Sequence, residues 1–549
     1  MSVLCFILAS RHHAFSGAHK VSGIVPGSLG ATESFPSLVE AWLKIADAEL
    51  GVETTLRDLL RRGIAVHTSA MLQPEQAASE LMFAKRKALL MFATGTLAQG
   101  LNLPAIAVVI AGTSMGDPRQ TDPVAGITRA NALILNGFGR AGRPGFSNQG
   151  IAILVSDTPF SAPVVEQLDP RHALEQYDVL GEPDAAVEVH SPIEDFLDLM
   201  LEGDPDVIGA TTTELALTSL LAEYDREDYN ASQILSRTLA AYHNRQKLSH
   251  QVIEQIRQRI TDLKNDFLQQ PDVPDWMNRA AMRAGVSFWR AWRMWQAYQQ
   301  RGLVAVEDGV TFKVTDWFNV FFEVMALLPP GQVRPYLADE KLKRTTVLTK
   351  LRDQVIEQVR KQEYVDVIPW EIPQDWFALW QELKQLVFQY MQGATYMEMA
   401  RAYLGLPEEK PVTNRRSSGS HPIPAVFGFL RKIVYPLAID AGCFLAIQEF
   451  AVHSEGDDIP ETLQALPLCI RNGCDSLGTS SWYRFVYRQR VCAHALEAAF
   501  PVPKDLKTDG ERARWVRQTR GEWLSGELTA KAYPILNYAM TVIEEGGAM

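Results

Sequence analysis

Cysteine is scarce: five in 549 residues (Cys5, Cys443, Cys469, Cys474, Cys492), with no paired spacing that would make a disulfide framework. Cys469 and Cys474 lie five apart, with no His or Cys pair nearby to complete a zinc site, so buried thiols in a reducing cytosol are expected. No apolar run reaches the roughly 18 residues that cross a membrane. Thr94, Thr96, Gln99 and Asn102 interrupt the richest one, residues 87–112. The run Val3–Ala9 has no basic residue before it and no small-residue cleavage pattern after it, and reads as a buried strand, not a signal segment. A cytoplasmic location is expected. Cationic excess is missing as well: 53 Lys and Arg against 65 Asp and Glu leave a net charge of −12. A surface that coats nucleic acid is thereby disfavoured, while a local basic groove is still allowed. No G-x-x-x-x-G-K-[ST] phosphate loop occurs, and neither Asp-Glu-x-His nor Asp-Glu-x-Asp; Asp339-Glu340-Lys341 sits in a polar turn. These absences exclude a self-contained phosphate-loop ATPase.

The length requires two to four domains. Residues 1–165 alternate short apolar runs with amphipathic segments. Runs at 3–9, 64–67, 88–93, 105–111 and 151–155 read as strands, with helices at 38–50, 54–62, 75–83 and 125–135. Continuous apolar strands between helices indicate a parallel sheet covered on both faces. From 190 to 330 the period becomes helical. The aromatic helix 287–301 runs into Leu303–Val306, the turn Glu307-Asp-Gly309 and Val310–Val314, which has the look of a winged helix; the charged helix 249–269 is read as an insertion. Residues 331–549 read as a helical bundle. Thr395-Tyr-Met-Glu398 forms a capping box, 406–424 is an exposed loop, and helices follow at 426–451, 462–473 (kinked at Pro467), 480–500 and 509–526. The fold class is α/β followed by all-α.

Chemistry concentrates in Asn136-Gly-Phe-Gly-Arg-Ala-Gly-Arg-Pro-Gly145 and, upstream, Phe92-Ala-Thr-Gly-Thr-Leu-Ala-Gln-Gly-Leu-Asn-Leu-Pro-Ala105. Arg140 and Arg143 sit among small residues that let backbone and guanidinium approach a phosphate. Their always-charged forks match phosphate oxygens, which is the chemistry of an arginine finger.

The two segments resemble motifs V and VI of superfamily two helicases of the DEAD/DEAH-related kind. Val3–Arg11 is similar to motif IV, Gly63–His67 to the family's short strand ending in His, and Gly150–Val155 to the strand after motif VI. The resemblance covers residues 1 to about 160 and implies a second RecA-like lobe. It implies that Arg143 is the finger on the γ-phosphate, with Arg140 beside it. Gly100, Asn102, Asn136 and Gly139 would face the nucleotide, and His67, Thr94 and Thr96 the nucleic acid. Two departures stand out: Asn136-Gly137 where the family has Gln-Met, and Thr68-Ser-Ala70 where it often has His-Ala-Gly.

In the helicase branch with a winged helix and a bundle behind the motor, a ratchet helix follows the translocated strand. Trp482, Arg484 and Arg488 suit that position, and a solvated basic face on a packed helix explains them equally well. The aromatic stripe of 287–301 is expected to be core, with Arg290, Arg293 and Arg301 as backbone contacts.

The resemblance implies the C-terminal part of an ATP-dependent DNA or RNA helicase, inactive alone. ATP and Mg²⁺ would bind only with a first RecA-like lobe supplied by a neighbouring polypeptide or lost with a missing gene segment. The expected partners are single-stranded or partly duplex nucleic acid and that lobe, without a membrane. The alternative is a non-enzymatic nucleic-acid-binding or scaffold protein derived from a helicase; a non-functional fragment is a third reading.

Overall fold

The computed structural model describes residues 2–7, 11–24, 34–94, 103, 105–111, 134–142, 149–155, 258, 273–329, 368–407, 422–452, 459–524 and 533–545. Five strands, β1 (Val3–Ile7), β2 (Ile64–His67), β3 (Leu90–Ala93), β4 (Ala107–Ala111) and β5 (Ile151–Val155), form one sheet in the order β2-β3-β1-β4-β5. Every pairing is parallel. The expected continuous apolar runs are therefore strands. All of β2 is buried, whereas the edge strand β5 leaves Ile151, Ile153 and Val155 nearly half exposed. The first helices are α1 (Arg11–Ser22), α2 (Ser37–Leu50), α3 (Leu56–Arg61) and α4 (Gln73–Ala84).

The rest of the described residues are mainly helical: α5 (Met277–Ala284), α6 (Phe288–Arg301), α7 (Val306–Gly309), α8 (Val314–Ala326), α9 (Gln374–Met391), α10 (Tyr396–Leu404), α11 (Ile423–Val452), α12 (Glu461–Asn472), α13 (Leu477–Phe485), α14 (Arg490–Ala499), α15 (Asp509–Gln518), α16 (Arg520–Leu524) and α17 (Ile535–Glu545). The chain is thus α/β followed by all-α. The capping box before α10 forms as expected: Thr395 Oγ1 accepts from Glu398 N–H, and Thr395 N–H donates to Glu398 Oε2 at 2.7 Å. Helix α11 is long and apolar enough to cross a membrane. It packs as the central helix of the bundle instead, burying Leu437, Phe444 and Ile447 and holding Asp440 in an ion pair with Arg290.

Three sequence expectations are corrected. The hairpin at 303–314 is absent: Val306–Gly309 closes a helical turn and Val314 opens α8, so no wing strands form there. Asp316 accepts from Lys313 N–H to start α8. Gly309 lies so close to Trp317 that a Cβ would sit 2.9 Å from its ring, and Phe312 also packs on that ring. Burial against a helical core outcompetes pairing of two short runs with each other. The boundary at 330 does not separate cores either, because Phe318, Phe321 and Phe322 of α8 pack on Phe388, Phe444 and Trp380. Finally, the helix expected over 480–500 breaks at 486–489. Tyr487 drops beside Trp42 of α2, ring centroids 6.1 Å apart, and joins the lobe's core with Cys492, Ala539 and Val542.

Arg490 locks this junction. Its Nε lies 2.7 Å from Glu49 Oε1, its Nη1 donates to Tyr390 O and its Nη2 to Ala394 O. Its guanidinium stacks 4.4 Å from the Tyr390 ring centroid. Arg490 and Glu49 are each 5% exposed, so deleting either strands a buried charge. Replacing either by Leu is expected to lower unfolding stability by about 3–5 kcal/mol. The double variant should lose less than the sum, as measured by urea denaturation in a double-mutant cycle.

Glu75, fully buried, starts α4 by accepting from Leu72 N–H at 2.9 Å, and it accepts from the Thr54 hydroxyl at 2.5 Å. Burial pushes its carboxyl up to about 7 from an ordinary 4.5. The folded state therefore holds this proton more tightly than the unfolded chain. The stabilisation is complete below pH 4.5 and is lost as pH rises through 7. Relative to Glu75→Gln, the wild type should weaken between pH 5 and pH 8, by at most about 3 kcal/mol in thermal or urea unfolding. A pH-independent difference would refute this.

Candidate nucleotide and nucleic-acid surfaces on the parallel sheet

In a parallel sheet every strand ends on the same edge, and ligands collect outside the carboxyl ends. His67 is the last residue of β2, paired in register with Ala93, and Thr94 N–H donates to His67 O at 3.2 Å. Both therefore lie on the carboxyl edge. Thr94 is half-buried there. The His67 imidazole is turned inward: Nε2 lies 2.8 Å from Glu80 Oε1 of α4, and Nδ1 is buried without a hydrogen-bond partner among the described residues. Glu80 carried no sequence signal, because its contact to His67 depends on how α4 packs over β2.

Arg140 and Gly139 lie elsewhere. They follow a helical turn, 134–138, whose Gly137 would bring a Cβ to 3.0 Å from Ile110 Cδ1 and 3.4 Å from Phe6. A bare Cα at 137 thus lets the turn ride close on β1 and β4, which gives the Asn136-Gly137 departure a packing reason. Beyond it Gly142, at φ +62, donates to Ala105 O at 3.1 Å. A Cβ on Gly142 would meet Gly150 N at 2.4 Å, and one on Gly150 would meet Ala141 C at 2.6 Å. Ala105 and Gly150 immediately precede β4 and β5, so Arg140 stands at the amino edge of the sheet. The side chain of Arg140 is half-buried, and Asn136 and Gly139 are exposed.

Strands of five residues span roughly 16 Å. The two sets of residues are thus separated by the thickness of the sheet along its strands: His67 and Thr94 on one edge, Gly139 and Arg140 on the other. Arg143, Gly100, Asn102 and Thr96 lie outside the described residues.

Of the distal candidates, Trp482 is corrected to a core residue. It is fully buried, edge-on to Trp515 and Trp523 at 5.9 and 5.7 Å, and not free to stack on a base. Arg484 is exposed at the end of α13, with its guanidinium paired to Asp509. Arg488 is exposed in the break between α13 and α14, so the two arginines do not share a helix face. Next to it Gln489 donates to Oε1 of Gln73, the first residue of α4, just past the loop that leaves β2. The break therefore carries Arg488 to the neighbourhood of the carboxyl edge. The other arginine candidates are structural. Arg290 holds Asp440 in a two-pronged pair, Arg301 holds Glu323, and Arg293 donates to Gln296 and covers Trp289. The tryptophans Trp292 and Trp295 are core, as expected.

No family model matches the chain. Part of it is similar to curated proteins. The U5 small nuclear ribonucleoprotein 200 kDa helicase of Caenorhabditis elegans is 38% identical over 112 residues, 20% of this chain and 5% of that protein. The human protein of the same description is 37% identical over 111 residues. The ATP-dependent RNA helicase mtr4 of Schizosaccharomyces pombe is 33% identical over 122 residues, 22% of this chain and 10% of that protein. The matched stretch thus spans a small fraction of each relative's length. Over about a fifth of its length the chain is thus similar to these helicases, and its five-stranded parallel lobe followed by helices is consistent with a C-terminal region of a superfamily two helicase of the DEAD/DEAH-box-related kind.

Proposed function

We propose that the chain is the distal part of an ATP-dependent nucleic-acid helicase, working in the cytoplasm, and that its α/β lobe forms one wall of an ATP site. The supporting observation is the division of the sheet: Arg140 and Gly139 at the amino edge, His67 and Thr94 at the carboxyl edge. Phosphoryl transfer needs positive charge fixed where negative charge develops, and the glycine contacts at 142 and 150 fix the Arg140 turn. Arg143 lies three residues on in the same motif and is assigned as the finger. Gly100, Asn102, Asn136 and Gly139 line the nucleotide side, and ATP with Mg²⁺ is held jointly with a first RecA-like lobe. On the opposite edge Thr94 and Arg488 meet the phosphates of a single strand, with His67 shaping the floor through Glu80; Thr96 is assigned to the same strand from its motif.

This wall has no substrate without its partner. The purified chain should show no ATP turnover above buffer. Addition of a first lobe carrying a phosphate loop and an acidic Mg²⁺ motif should produce nucleic-acid-stimulated turnover. Arg143→Ala should cut that turnover about a thousandfold or more. Equal turnover in the Arg143→Ala mixture, or Arg143-dependent turnover by the chain alone, would overturn the assignment.

Strand binding is tested separately. Arg488→Ala should weaken binding of a labelled single strand several-fold and lower the slope of log affinity against log salt by about 0.7. Arg484→Ala should change both little, since Asp509 already holds that guanidinium.

A further inference from the structure

Outside the α/β lobe, α6, α8 and α9 enclose an open cleft of about 380 Å³, within the size range of small-molecule sites. Its walls are aromatic. Phe322 and Trp380 meet edge to face at 6.1 Å, and Phe377 at the mouth is 46% exposed. A half-exposed phenylalanine beside the cleft is an unusual surface for a helix to present. On α9, residues 377, 380, 381 and 384 fall on one helical face, so an exposed ring, a buried indole, an amide and a cation line the cleft together. The rim carries the amides of Gln300 and Gln381. Of the charges there, Arg301 and Glu323 neutralise each other at 2.6 Å, while Lys384 pairs with no carboxylate among the described residues.

We infer that this cleft takes one nucleotide of a single-stranded nucleic acid, its base against Phe377 and its phosphate on Lys384. The inference rests on the nucleic-acid reading above and adds to it a base-holding site on the helical part. The chemistry decides between occupants. An apolar side chain from a partner protein would use the rings and leave the cation and both amides unmatched. A nucleotide uses all three: a π face for the rings, polar base edges for the amides, and a phosphate for the ammonium. Base stacking on an aromatic side chain tolerates any sequence, so the site would hold a strand without reading it.

The test uses the full chain and fluorescein-labelled single-stranded RNA and DNA of mixed sequence, read by anisotropy and by ultraviolet cross-linking with peptide mapping. Phe377→Ala should weaken binding about tenfold or more, and Phe377→Trp should preserve it. Lys384→Ala should flatten the salt dependence. Nucleotide adducts should map to the peptide that contains residues 374–391. Phe377 is half exposed, so its loss should leave the melting temperature near wild type. Wild-type affinity in Phe377→Ala, or adducts confined to the α/β lobe, overturns the cleft and leaves a partner's apolar side chain as its occupant. In that case a loss in Arg488→Ala still upholds the general reading. No binding of either strand by the wild type overturns both.

Discussion

One buried arginine determines how the two halves of this molecule meet. Arg490 reaches Glu49 at the end of α2, two backbone carbonyls at and beyond the end of α9, and the faces of Tyr390 and Tyr396. A guanidinium taken out of water is tolerable only when each of its donors is matched, and here most are. Its fixed planar fork makes the angle between the α/β lobe and the helices a matter of hydrogen-bond geometry, not of general apolar contact. Gly473 shows how tight the packing is: a Cβ there would sit 2.4 Å from Arg490 Cδ, so a residue with φ +68 and no side chain is required.

This junction also explains the break between α13 and α14. A continuous helix over 480–500 would place Tyr487 and Arg490 on helix faces set by a 3.6-residue period. Breaking at 486–489 frees Tyr487 to enter the lobe beside Trp42 and Arg490 to enter the polar junction, and it turns Arg488 out beside α4. The helical hydrogen bonds lost at the break are offset by burial of a tyrosine ring and by a charge-assisted network. The lobe is thus braced from its α2 side by α14 and α17, with Ser37 bonded to Glu545 near the far end of the last helix.

The division of the candidate residues between two edges of the sheet follows from simple geometry. Parallel strands share a polarity, so β3 ends on the carboxyl edge and β4 begins on the amino edge. The glycine contacts between 142 and 150 then hold the following arginine turn against the start of β4 and β5. Side chains at those two positions would push the turn off the sheet.

Strand-forming runs, the parallel sheet, the aromatic core stripe of α6, the capping box before α10 and the clustered glycines and arginines at 139–145 were all legible in the sequence, because each depends on neighbours a few residues apart. For Trp482, Arg290, Arg301 and the Asp308-Gly309 turn, local pattern does not decide the outcome. In each case the deciding partner lies far along the chain or in the competing helical core: Trp515 and Trp523, Asp440, Glu323, and Trp317 beneath the turn. Local pattern shows that an arginine is present and a tryptophan is apolar. Only packing decides whether the first meets a carboxylate or solvent, and whether the second faces a base or a core. The sequence alone therefore carried the helicase resemblance and the order of strands and helices in the lobe. Tertiary structure decided which edge of the sheet each described residue occupies, which cations are already neutralised, and how Glu49 and Arg490 join the lobe to the helices, because these depend on contacts between separate elements, 22 residues apart for Arg301 and Glu323 and 441 apart for Glu49 and Arg490.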